Sequence, residues 1–382
     1  MAEVRPEAKP ERRAGGLRNV VAGESGISSI DGQRGVLAYR GIDIHALAER
    51  STFEEVVFLL HRGVLPTRAQ LDELQKTLAR ERPVPEAVVA MVRALPAGTH
   101  PMTTLRTAVS ALGAFDPDAE DDGPEARARK AVRLTAQMAT LVAALDRIRR
   151  GGQPLPPDPA LPHAADFLRM LQGKAPAPAT ARAMDVALVL HADHEFNAST
   201  FAARVAASTL ADIHGAITAA LATLKGPLHG GANEAVMRML EAVGEVGKAE
   251  GWIREAFAQK RKVMGFGHAV YRTEDPRATH LRRLSRQIGD EAGDRRYYDL
   301  SEAVEAAVKA QKGLNANVDF YSASLYRMLG IPTDLFTPVF AVSRVAGWTA
   351  HVLEQLADNR LIRPESEYTG PRDVAYVPIE RR

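Results

Sequence analysis

The chain of 382 residues contains no cysteine. Disulfides, thiolate nucleophiles and cysteine-based zinc sites are therefore excluded. Neither charge is in surplus: 49 basic residues stand against 47 acidic ones, for a formal net charge of +2. That balance argues against a general nucleic-acid or membrane-surface binder, so any strong positive field must be local. No apolar run approaches the ~18 residues that a membrane span needs. Alternating strand–helix units are missing, and no GxGxxG opens a helix after a strand, which argues against a Rossmann fold. A GxSxG nucleophile elbow is missing too.

What is present suits a large helical protein. Hydrophobic residues make up 46% of the chain, enough for two domains or one large one. The first sixteen residues, MAEVRPEAKPERRAGG, are rich in Pro and charge and read as a disordered tail. Glu3, Glu7 and Glu11 count against a transit peptide, and no secretory apolar region follows, so a cytoplasmic protein is expected. Residues 27–41, with the turn signal Asp31-Gly32, predict one small β-hairpin. Beyond it the pattern is helical. Thr52 with Glu55 and Thr67 with Gln70 have capping-box spacing. Phe53, Val56, Val57 and Leu60 share one helical face, and Gly63 is a stop signal. Leu71, Leu74 and Leu78 follow the second cap, and residues 128–149 and 159–172 are also helical by pattern. Residues 198–224 are dense in Ala, Ser, Thr and Gly, which permits close helix contact and predicts a central position.

Four segments of the second half hold polar residues that a plain core would not explain. In LHADHEFNAST, His191 and His194 are three apart and share a helical face. The zinc-protease spacing is four, so the pair fits capping or core histidines as readily as ligands. In LKGPLHGGANEAVMRML, glycines surround His229 just before a helix is expected to start at about Asn233. The positive end of a helix disfavours an imidazolium there, and a neutral imidazole can donate to a carbonyl. A Gly-rich turn with an incidental His reads the segment equally well.

In KRKVMGFGHAVYRTEDPRATHLRR, a basic run of Lys260, Arg261, Lys262, Arg272, Arg277, Arg282 and Arg283 surrounds the Gly-flanked His268. Guanidinium groups bind carboxylates and phosphates by paired hydrogen bonds, although such runs are commonly solvated faces. The fourth segment pairs NANVDFYSASLYRML with TPVFAVSRVAGWTAHVLEQL. Asp319 sits between Val318 and Phe320, where burial would raise its pKa toward that of a useful base. A helix N-cap is the plainer role for such an Asp. Arg344 is the only Lys, Arg, Asp or Glu from Val339 to Leu353. A buried guanidinium without an anion is costly, so a protein or ligand carboxylate must meet it.

Donor histidines, an apolar-flanked carboxylate and placed arginines suit enolisation beside a thioester. At this point the chain resembles the citrate synthase family, from about Gly16 to its end. The motifs that carry the resemblance are SIDGQRGVLAYRG, HADHEFNAST, LKGPLHGGANE, GFGHAVYRTEDPR, NVDFYS, FAVSRVAGW and NRLIRP. The resemblance implies an all-α fold with one short N-terminal β-hairpin. It implies a large domain over 16–225 and 327–382, and a smaller mobile one over 226–326, after a disordered tail at 1–15. It implies condensation of acetyl-CoA with oxaloacetate and hydrolysis of citryl-CoA, a step of the tricarboxylic acid cycle, with no metal and no resident cofactor.

By the same resemblance, His229 holds the thioester enol, Asp319 is the base and His268 polarises the ketone. His194, Arg277, Arg344 and Arg363 bind oxaloacetate, with Arg363 reaching the partner's site in a homodimer. Arg272, Lys262 and Lys312 contact coenzyme A. Ala269, where many relatives have a basic residue, and Ala316, where many have Pro, depart from the pattern. Two alternatives stand beside this reading. One is a 2-methylcitrate synthase using propionyl-CoA, since one methylene offers only about 1–3 kcal/mol of discrimination. The other is a non-catalytic sensor of dicarboxylates, which would need the arginines but not the base. A zinc hydrolase built on His191 and His194 lacks a third ligand nearby in sequence.

Overall fold

A computed structural model describes Leu17, residues 20–268 and residues 270–382. The tail expected over 1–15 and the departure at Ala269 lie outside the described residues. Among the described residues the fold is all-α, with sixteen helices and one small antiparallel sheet. None of these helices is long and apolar enough to cross a membrane.

The sheet contains the expected hairpin, β1 (Ser28–Asp31) with β2 (Val36–Tyr39), in the register Ser28↔Tyr39 to Asp31↔Val36. Asp31 shapes the turn: one carboxylate oxygen accepts from the amides of Gln33 and Arg34, each at 3.0 Å. A third strand not expected from the sequence, β3 (Ile42–Asp43), returns along β2.

Both capping boxes form, at the heads of helices Phe53–Arg62 and Arg68–Glu81. The first helix stops at Gly63, whose φ of +83° suits glycine. Leu71 and Leu78 are buried, and Leu74 packs against the core from a partly exposed position. One expected span is corrected. Residues 159–172 yield a helix only over His163–Gln172, because Pro162 takes the N-cap position. The small-residue stretch 198–224 forms two helices, Ala198–Ser208 and Ile213–Leu224, parted where Asp212 caps the second. They pack against each other and against the long helix Phe336–Ala357, as their small side chains allow.

That long helix is almost wholly buried and passes behind the segment carrying His191 and His194. Gly347 makes the approach possible. Its amide donates to the Ala192 carbonyl at 3.1 Å, and a Cβ there would lie 2.5 Å from Asp193 Oδ1. The helices Ala232–Val243, Ala249–Ala258, Pro276–Ala292, Arg296–Lys312 and Val318–Met328 pack chiefly on one another. They carry the loops of His229 and His268 and, in the first turn of the last helix, Asp319.

Candidate active site

His229 lies in the turn before helix Ala232–Val243, which starts one residue earlier than the pattern suggested, with Gly231 as N-cap. The Ser199 amide donates to His229 Nε2 at 3.3 Å, and Ser199 Oγ lies 2.8 Å from the same nitrogen. A backbone N–H can only donate, so Nε2 is an acceptor and the ring proton sits on Nδ1. Ser199 is held in turn by buried Trp348, whose Nε1–H donates to its hydroxyl at 3.1 Å. Burial first, and the charge of Arg344 second, push the His229 pKa down to about 4. The ring is therefore a neutral donor through Nδ1.

His268 reaches the same state by other means. Its loop is clipped to the head of helix Val318–Met328: Gly267 N–H donates to Asn315 O, Asn317 N–H to Gly265 O, and Asn317 Nδ2 to Gly267 O. Gly265 has a φ of +82°, and a Cβ there would press on Phe320 and Val236 at 2.8 Å, so only glycine fits. His268 Nδ1 accepts from the amides of Val270 (3.0 Å) and Tyr271 (3.2 Å), which leaves the proton on Nε2. Burial, then Arg277, lower its pKa to about 4.

His194 is buried beside it, with ring centroids 5.4 Å apart, and its Nε2 lies 3.1 Å from the Tyr271 hydroxyl. Burial, then Arg277 and His268, hold its pKa well below the usual imidazole range. His191 does not join this group. It is buried, its Nδ1–H donates to Ala187 O at 2.8 Å, and its ring faces Phe340 and Tyr326. The two histidines thus diverge. Among the described residues no group of three or more His, Cys, Asp or Glu side chains is placed to hold a metal ion.

Asp319 is not the N-cap; that position belongs to Asn317, whose side chain accepts from the Asp319 amide at 3.1 Å. Although part of the residue is exposed, desolvation of its carboxyl pushes the pKa up to about 6. Arg277 and Arg344 act against that rise and Asp275 adds to it.

The two arginines differ in kind. Arg277 is buried and forked onto Asp275 through Nε (2.9 Å) and Nη2 (2.8 Å). Burial works against its charge, but the Asp275 pair outweighs it and holds the guanidinium above its usual range. Asp275 is itself fixed, as N-cap of helix Pro276–Ala292 and as acceptor from Val318 N–H at 3.1 Å. Arg344 is equally buried, yet its one hydrogen bond among the described residues runs from Nε to the His191 carbonyl, at 2.6 Å. Its guanidinium stacks over Phe340 at 4.5 Å. Burial lowers its pKa to about 10, with Asp193 opposing, and among the described residues no carboxylate pairs with it. A dicarboxylate beside Arg344 would supply the missing anion, and neutral His268 and His194 would supply hydrogen bonds to its other oxygens.

The structure thus brings His194, His268 and Arg277 together, and links Asp319, His229 and Arg344 to them through mutual charge effects. It does not gather the rest. Arg272, Lys262 and Lys312 are exposed, and Lys312 sits over the Phe257 ring at 5.5 Å. The basic run is no single face: Arg277 is buried, while Arg282 pairs with Glu274 and Glu305. Arg363 is exposed at the start of an extended C-terminal segment anchored through Asn359 and Ile362 to Ser208. Sequence reasoning missed Ser199, Tyr271, Asp275, Asn317 and Trp348. Two of them carried a signal: Asp275, in an Asp-Pro pair that reads as N-cap followed by first helical residue, and Asn317, an N-cap residue type directly before an apolar run.

The family model described as the citrate synthase C-terminal domain matches residues 16–365. The chain is 50% identical to citrate synthase 2 of Bacillus subtilis, over 96% of this chain and 98% of that one. It is 43% identical to the 2-methylcitrate synthase of Shewanella oneidensis, over 96% and 97% of the two chains. It also resembles the solved ternary complex of citrate synthase from Thermoplasma acidophilum with carboxymethyl coenzyme A and oxaloacetate. There the TM-score is 0.90, with 32% identity and coverage of 95% of this chain and 98% of that one.

Proposed function

The chain belongs to the citrate synthase family, whose enzymes condense an acyl-CoA with a 2-oxo acid, and from that premise we propose the roles of its residues and its acyl donor. The donor is acetyl-CoA and the acceptor oxaloacetate. Asp319 takes a proton from the methyl carbon of the thioester. His229 Nδ1–H donates to the thioester oxygen and holds the enol that forms. The enol carbon attacks the ketone carbon of oxaloacetate, while His268 Nε2–H donates to the ketone oxygen as it becomes an alkoxide and then a hydroxyl. Water cleaves the resulting thioester and coenzyme A leaves as the thiol. Arg344, Arg277 and His194 hold the oxaloacetate carboxylates, with Arg363 of a second copy of the chain completing that shell in a homodimer. Arg272, Lys262 and Lys312 receive coenzyme A.

The observation that carries this reading is the combination of a carboxyl raised to about 6, two neutral imidazole donors and a buried guanidinium without a carboxylate partner among the described residues. A dicarboxylate sensor would need the guanidinium but not the base. The chain divides into a large domain, 16–225 with 327–382, and a small mobile one, 226–326. In support, the helices of the small domain pack chiefly on one another. Closure over oxaloacetate would exclude water before the thioester enters. The work is cytoplasmic and belongs to the tricarboxylic acid cycle.

The test is coenzyme A release followed with a thiol-reactive dye, without added metal. No cysteine in the chain contributes to the signal. Oxaloacetate-dependent release that favours acetyl-CoA is expected. A clear preference for propionyl-CoA would make 2-methylcitrate the product, and no release from folded protein would overturn the catalytic reading.

A further inference from the structure

The N-terminal hairpin contributes no catalytic side chain, yet it touches two segments of the site. At its base, Ser28 Oγ donates to Asp193 Oδ2 at 2.5 Å and accepts from the Glu195 amide at 2.9 Å. The Ile30 amide donates to Glu195 Oε1 at 2.7 Å. Asp193 and Glu195 flank His194. At its tip, the Gly32 carbonyl accepts from the Arg272 amide at 2.8 Å. No side chain stands between the two backbones. A Cβ on Gly32 would overlap the Val270 carbonyl oxygen and lie 2.9 Å from its carbon. A Cβ on Gly35 would lie 2.5 Å from Thr273 Oγ1.

The turn under the hairpin tip is also the turn that holds His268. The amides of Val270 and Tyr271 point into His268 Nδ1 and fix which ring nitrogen bears the proton. One side of this turn is thus clamped by the hairpin and the other clamps the imidazole. We propose that Gly32 is a positioning residue for His268, and that the hairpin sets the spacing of His194 and His268 by holding both their segments in one ribbon. The proposal rests on the ketone-polarising role given to His268. A donor displaced by about 1 Å loses on the order of 10²-fold in rate, so a clamp built from backbone contact is an effective one.

Gly32→Ala isolates the effect. Gly32 lies outside the left-handed region, so alanine brings no φ penalty, and the three atoms nearest its new methyl all belong to Val270. Gly41→Ala is the control: its φ of +82° strains the turn between β2 and β3 of the same sheet, but nothing lies within 4 Å of the added carbon. The measurements are steady-state kinetics with oxaloacetate varied, thermal unfolding, and ¹⁵N spectra of the labelled histidine rings. Expected for Gly32→Ala is a fall in kcat/KM for oxaloacetate of about 10²-fold, with a His268 ring signal moved off its single tautomer. Gly41→Ala should stay within about twofold of wild type in kcat/KM.

Should Gly32→Ala fail to fold, Asp31→Ala removes the two bonds that shape the tip without adding an atom. A fall of about threefold to tenfold in kcat/KM is then expected. Wild-type kinetics in the folded variant would overturn the proposal, as would lost activity with an unchanged His268 signal. The ring spectrum separates this proposal from the one beneath it. If His268→Gln keeps full turnover, the ketone role falls, while the coupling of Gly32 to the His268 ring is still read directly.

Discussion

Arg277 spends Nε and Nη2 on the two carboxylate oxygens of Asp275, at 2.9 and 2.8 Å. This pairing sorts the site's two buried guanidinium groups. Arg277 has its counter-ion within the chain, whereas among the described residues Arg344 has only the His191 carbonyl and the face of Phe340. The unmet charge is the one a substrate carboxylate can satisfy, and holding it ready costs stability in the free protein.

Arg344→Leu should therefore weaken oxaloacetate binding by about 3 kcal/mol, on the order of a hundredfold. The melting temperature should hold or rise, because an unpaired buried charge is removed. Asp275→Asn should do the reverse to the fold and lower the melting temperature, since it strands Arg277 and weakens a helix cap. Calorimetric titration with oxaloacetate and thermal unfolding of both variants check the pair. An unfolded Arg344→Leu protein would mark that arginine as structural.

Asp319→Asn should keep oxaloacetate affinity and lose on the order of 10²-fold to 10⁴-fold in turnover. The wild-type pH profile carries the same information. A base must be ionised to accept a proton, so activity is present above its pKa and lost as pH falls through it. With Asp319 at about 6 and both donor histidines at about 4 in the free protein, the acidic limb of kcat/KM should turn near pH 6. A limb that turns near 4 would assign the base elsewhere.

His163 predicts an acid sensitivity unrelated to catalysis. It is buried against Phe53, neither ring nitrogen has a hydrogen-bond partner among the described residues, and burial followed by Arg82 lowers its pKa to about 3. The unfolded chain, with a pKa near 6.5, binds the proton that the folded one refuses. Stability from this group is thus complete above pH 6.5 and drains as pH falls toward 3. Between pH 6.5 and 5 the loss is about 2 kcal/mol. His163→Phe should narrow the gap in melting temperature between pH 8 and pH 5. An unchanged gap would shift the sensitivity to His61 or His191.

Much of this was legible in the chain because the signals were local. Thr52 with Glu55 and Thr67 with Gln70 announced two helix starts, and both boxes formed. Arg344 stood out as a lone charge in an apolar helix, and it is buried with no carboxylate partner among the described residues. The misses are equally physical. Ser199 meets His229 through its amide and its hydroxyl across 30 positions, and a serine near a helix start reads as an ordinary capping residue. Tyr271 meets His194 across 77 positions, a separation that only the folded chain reveals. Arg363 is exposed in a single chain, where its expected use requires a second copy.

Gly347 ties the fold to the site most directly. A glycine in the middle of a buried helix costs about 1 kcal/mol relative to alanine, and here the cost purchases close approach. Its amide donates to Ala192 O, and the segment so held carries the His191 carbonyl that takes Arg344 and the imidazole of His194. A methyl at 347 would strike the Ala192 carbonyl and sit 2.5 Å from Asp193 Oδ1, and neither backbone atom nor buried carboxylate can yield cheaply. Alanine's better helix propensity should thus be outweighed by overpacking, for a net loss of about 1–3 kcal/mol. Displacing residues 191–194 moves Arg344's anchor and His194 together, so KM for oxaloacetate should rise by more than kcat falls. Kinetics and unfolding of Gly347→Ala decide it. A variant as stable as wild type with an unchanged KM would mean that the helix can move away from this segment without cost to the site.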